Sequence, residues 1–70
     1  MTTTVKKESS TWENKSLKSV NWSFIVSIKG EVWKGAIDLK TLDDFQAMWE
    51  IELHFEMNHF EAFKRITKAA

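Results

Sequence analysis

The segment Val20-Asn21-Trp22-Ser23-Phe24-Ile25-Val26-Ser27-Ile28-Lys29 constrains this chain more than any other. Val20, Trp22, Phe24, Val26 and Ile28 are apolar, and Asn21, Ser23, Ser27 and Lys29 between them are polar, with Ile25 the exception. A period of two predicts a strand with one buried face. Gly30 follows at once, and Glu31-Val32-Trp33-Lys34-Gly35-Ala36-Ile37 supplies a second extended run. Lys29-Gly30-Glu31 is therefore expected as a tight turn closing a hairpin over residues 20–38. Gly30 and Gly35 are the two glycines of the chain, and both are expected at a bend or bulge.

The period then changes. Leu42, Phe45, Trp49 and Leu53 recur at three- and four-residue spacing, with Met48 and Ile51 widening the stripe, which predicts an amphipathic helix over 41–56. Thr41 is expected to cap it, with Asp43 and Asp44 in the first turn where the helix dipole favours negative charge. Its apolar stripe is expected to pack on Trp22, Phe24, Val26 and Ile28. Asn58 suits a C-terminal cap. Beyond it, Phe60, Ala62 and Ile66 alternate with Glu61, Arg65 and Thr67, which suits a third strand; Phe60, Phe63 and Ile66 also suit a helix. A two-stranded ribbon is only marginally stable, which favours the strand. Residues 1–19 are polar, without a sustained period, and are expected to form a flexible tail docking through Trp12 or Leu17. The fold class expected is α+β: one small domain over 20–70 with the order ββαβ behind that tail. The alternative is a hairpin followed by one long helix or two.

Composition excludes several classes of function. With no cysteine among its 70 residues, the chain has no disulfide, thiol chemistry or cysteine-ligated zinc. Two isolated glycines cannot build a phosphate-binding loop. His54 and His59 are the only histidines, and a chain this small leaves little room for a walled pocket, so no enzyme and no cofactor are expected. Glu50 and His54 share a helical face, but two ligands are too few for zinc, and both histidines read as surface or boundary residues. The longest apolar run, Phe24-Ile25-Val26, is far short of a membrane span or a signal-peptide core, so a soluble, cytoplasmic chain is expected.

Formal net charge is zero, but its distribution is uneven. Residues 1–37 hold six lysines against three glutamates; 38–61 hold seven acids against Lys40; 62–70 hold Lys64, Arg65 and Lys68. An acidic helix beside a basic last strand is a divided surface that can steer a charged partner. Trp12, Trp22 and Trp33 lie near Lys15, Lys18, Lys29 and Lys34, an arrangement that also suits single-stranded nucleic acid. Against it, Trp22 falls in the core-facing register. A structural homodimer closing an exposed aromatic patch is a further possibility.

The order hairpin, acid-rich helix opened by Thr41-Leu42-Asp43-Asp44, then Phe60-Glu61 with Lys64 and Arg65 downstream, resembles the small RNA polymerase inhibitors of short-tailed coliphages. That resemblance implies a non-catalytic phage protein of host takeover, with Lys64 and Arg65 meeting the polymerase. The stretch Leu42-Asp43-Asp44-Phe45-Gln46-Ala47-Met48-Trp49 is also similar to the helix of the uracil-DNA glycosylase inhibitors of Bacillus phages. That likeness implies a contact face of Phe45, Gln46 and Trp49, Gln46 standing where that family has Glu. Both imply one class: a protein that binds and blocks a bacterial nucleic-acid enzyme through Asp43, Asp44, Phe45, Gln46, Trp49, Lys64 and Arg65.

Overall fold

The alternation at Val20–Ile28 forms the second strand of a four-stranded antiparallel sheet, order β1-β2-β3-β4. The computed structural model describes residues 1–57 and 63–69, the side chains of 64, 65, 68 and 69 excepted. Its elements are β1 (Thr2–Glu13), β2 (Ser16–Ile28), β3 (Glu31–Leu39), α1 (Asp44–Met57) and β4 (Phe63–Ala69). The fold is α+β, as the periodicities predict, with the helix on one face of the sheet. The β2–β3 hairpin turns at Lys29 and Gly30, whose φ angles of 51° and 79° give the left-handed pair that matches strand twist. The last element is a strand, with Phe63 buried, Ile66 half-buried and Thr67 exposed. Asn58 as a cap, and the roles expected of His59, Phe60, Glu61 and Ala62, lie outside the described residues.

The N-terminal segment differs from expectation. Residues 2–13 are not a tail: β1 pairs with β2 from Thr2 opposite Ser27 to Glu13 opposite Ser16, so the order is βββαβ. The reason is its place at the sheet edge. Among β1 side chains only Thr3 is buried and Val5 half-buried, so no apolar alternation marks the strand. Its β-branched run Thr2-Thr3-Thr4-Val5 suits extended backbone. Asn14 and Lys15, with φ of 51° and 66°, close a second two-residue turn. Pairing is irregular between Lys7 and Ser9 and between Thr11 and Trp12. Lysines and irregular register on an edge strand discourage pairing with another chain.

The helix also differs, in cap and in phase. The cap is Asp43 rather than Thr41. Asp43 Oδ1 accepts the Phe45 N–H at 3.0 Å, and its carbonyl accepts the Ala47 N–H at 3.0 Å. Thr41 Oγ1 instead accepts the Asp43 N–H at 3.1 Å, fixing the turn that precedes the cap. Asp44 does lie in the first turn. From this start, Ala47, Ile51 and Phe55 point into the core. The stripe expected inside, Leu42, Phe45, Trp49 and Leu53, lies on the outer face.

The core contains Val20, Trp22, Phe24 and Val26 from β2, Ile37 and Leu39 from β3, the three helix residues, and Phe63 from β4. Burying each large side chain contributes about 1.5–3 kcal/mol. Trp22 is fully enclosed and its indole Nε1–H donates to the Thr41 carbonyl at 3.1 Å, so burial leaves no polar atom unpaired. Phe24, Phe55 and Phe63 form a ring cluster with centroids 4.8 to 5.7 Å apart. Trp33, opposite Val26, packs half-buried on the helix side with its ring centroid 6.2 Å from that of Phe55. Gly35 occupies regular β2–β3 register rather than a bend in that hairpin; it sits opposite Phe24 and, in β4, Ile66.

Candidate partner-binding face

A helix presents positions three and four apart on one side, so Phe45, Trp49, Leu53 and Met57 follow one another along α1, with Leu42 in the segment just before it. All are exposed, Phe45 by 79% and Trp49 by 57%. This face lies opposite the Ala47-Ile51-Phe55 stripe, so α1 carries apolar residues on two sides. Large exposed aromatics in a row form an apolar patch, a feature associated with interaction sites.

Carboxylates border the stripe. Helical geometry puts Glu52 and Glu56 along the Phe45 side, and Gln46 and Glu50 along the Leu53 side. Asp43 and Asp44 close the N-terminal end. From Thr41 to Met57 the sequence has no lysine or arginine. Glu52 is anchored: Thr3 Oγ1 donates to its Oε2 at 2.9 Å, joining the helix to β1. Lys18 and Glu13 form an ion pair at 4.0 Å away from this face, on the exposed β1–β2 ribbon.

Of the residues expected in the site, Phe45, Gln46 and Trp49 are exposed on the outer side of α1, Asp43 caps the helix, and Asp44 is exposed in its first turn on the side of Ala47 and Ile51. Lys64 and Arg65 belong to β4, at the sheet edge opposite β1. Arg65 pairs with Ala36 and Phe63 with Ile37, so Lys64 falls at the irregular position between them. The sequence reading missed Leu42, Leu53 and Met57 as surface residues. Their spacing was visible, but one stripe cannot announce by itself whether it faces inward.

Among the described residues no group of three or more His, Asp or Glu is placed to hold a metal ion. His54 is half-buried, its ring edge-on to Phe63 at 5.5 Å. The helix-free sheet face has a shallow cleft of about 390 Å³ among Ser23, Phe24, Ile25, Lys34, Gly35 and Thr67. Trp33, considered for base stacking, faces the helix and core rather than this open side. Among the described residues no helix is long and apolar enough to cross a membrane. Comparison with protein-family models, curated proteins and solved structures finds no match to this chain.

Proposed function

We propose that this chain is a non-catalytic protein-binding module, an inhibitor of phage type that blocks a bacterial nucleic-acid enzyme such as RNA polymerase. The observation that carries this reading is the outer face of α1, where Phe45 and Trp49 stand exposed between carboxylates. Aromatic anchors of this kind supply most of the affinity of a typical interface, and flanking charge sets approach and register. A domain that places its cap, its core stripe and its outer stripe on one 14-residue helix holds the outer side chains on a fixed frame. Lys64 and Arg65 supply a second, basic contact in the resemblance to polymerase inhibitors.

The test uses purified bacterial RNA polymerase core enzyme and purified uracil-DNA glycosylase, each presented to the immobilised chain. Stoichiometric binding to the polymerase, with loss of transcription in the same concentration range, is the expected result. Binding to the glycosylase alone, with loss of uracil excision, would move the target to DNA repair. Binding to neither enzyme would contradict the reading.

A further inference from the structure

We infer that the surface fitting the outer face of α1 is an apolar groove rimmed by lysine or arginine side chains, and that a second copy of this chain does not take that place. The inference rests on the reading above, that this face binds protein, and adds the chemistry of the partner.

The apolar centre, Phe45, Trp49 and Leu53, requires a hollow into which rings can descend and lose water. The border then decides what surrounds that hollow. Glu52 and Glu56 run along one side and Glu50 along the other, with Asp43 and Asp44 at the end, no lysine or arginine between Thr41 and Met57, and His54 half-buried on the opposite side beside Phe63. A groove with a neutral or acidic rim would desolvate or repel these carboxylates, whereas a basic rim pairs with them.

The same argument weighs against a two-fold dimer. Such an interface sets a patch against itself, so every carboxylate border of one copy would meet that of the other. Head-to-tail docking onto the helix-free sheet face meets a different obstacle. That face does carry exposed Lys6, Lys34 and Ile25, but Glu8 and Asp38 stand on it too, bonded to Ser23 and Asn21. Among the described residues its hollow is the shallow cleft beside Ile25 and Lys34, and a head-to-tail contact that does not close generates open-ended filaments.

Two synthetic amphipathic helical peptides with the same leucine face provide the probe, one with lysines beside the leucines and one with glutamates. Each is titrated into the full chain while tryptophan emission is followed, with Trp49→Phe identifying the part of the signal that belongs to Trp49. The lysine peptide is expected to bind at least about tenfold more tightly than the glutamate peptide, the preference shrinking at high salt. The double variant Glu50→Lys with Glu56→Lys should reverse the order at an unchanged thermal midpoint. Sedimentation of the chain alone should give a monomer. Equal binding of both peptides, binding of neither, or a dimer that Phe45→Ala dissolves would each overturn the inference. The peptides contain nothing of a polymerase, so their result is independent of the target named above.

Discussion

Phe24 and Phe63 bring their rings to 4.8 Å although β3 lies between their strands. The β3 residue in register with Phe24 is Gly35, which faces Ile66 on its other side, one same-face position along from Ile37, the partner of Phe63. A glycine there leaves the space above β3 to the two rings, and Phe55 closes over them from the helix, 5.7 Å from Phe24 and 5.3 Å from Phe63. The φ of Gly35 is not positive, so its contribution is room rather than an unusual backbone.

Gly35→Val should therefore destabilise the domain, since a branched side chain must enter the space the rings occupy. Overpacking of this kind costs about 1–3 kcal/mol. Urea denaturation measures it directly, and a midpoint at or above that of the parent would show that the rings do not depend on the gap.

Asp43 separates stability from charge. Asp43→Ala removes the cap and should cost about 1 kcal/mol. Asp43→Asn keeps an accepting oxygen and should cost much less while removing the same charge. Thermal melts of the two variants should thus differ although their net charges agree; identical melts would mean that the Asp43 Oδ1 contact to Phe45 N–H is not what starts the helix.

Lys15 holds a left-handed backbone, φ 66°, in the turn that joins β1 to β2. Glycine adopts that conformation without the penalty of a side chain, so Lys15→Gly should raise stability by about 1 kcal/mol. A lower melting midpoint would indicate that the turn is not the left-handed pair described above.

The strand β1 predicts a pattern of hydrogen exchange. Amides of residues 3–7 that face β2 should exchange more slowly than those of the Asn14-Lys15 turn. Removing residues 1–13 should unfold the chain rather than trim it, because Thr3, Val5 and the Thr3–Glu52 bond would be lost together. Uniformly fast exchange over the first thirteen residues would return this segment to a tail.

These points locate what was legible in the sequence. The β2–β3 hairpin was, because Val20–Ile28 alternates cleanly and Lys29-Gly30 turns. The strand after the helix was legible from the need to complete a sheet, but its period was not: the buried Phe63 fitted only the helical alternative, and Phe60 and Ala62 lie outside the described residues. The first strand was hidden because an edge strand with water on most sides carries no apolar alternation; Thr2-Thr3-Thr4-Val5 marks it only by branching at Cβ. The helix was visible but its phase was not. It carries two apolar stripes, and the larger, more aromatic one, Leu42-Phe45-Trp49-Leu53, drew the core assignment. The cap at Asp43 and the small Ala47 settle the matter the other way, since a fully buried alanine lets the helix lie close to the sheet. The same misplacement marks the candidate site: the residues that do not serve the core are the ones proposed to meet a partner.

In the proposed function, charge on the last strand steers association. Replacing Lys64 and Arg65 together by glutamate should slow association with the polymerase, most at low salt, with little change in the melting midpoint. An association rate indifferent to both substitution and salt would remove β4 from the encounter.

The most direct test of the account compares Phe45→Ala with Ile51→Ala, two residues of one helix on opposite faces, by urea denaturation and by binding to the polymerase core enzyme. The account predicts that Phe45→Ala keeps stability within about 0.5 kcal/mol of the parent yet binds at least about tenfold more weakly, whereas Ile51→Ala loses about 2–5 kcal/mol. A Phe45→Ala variant that unfolds, or one that folds and binds as tightly as the parent, would contradict it.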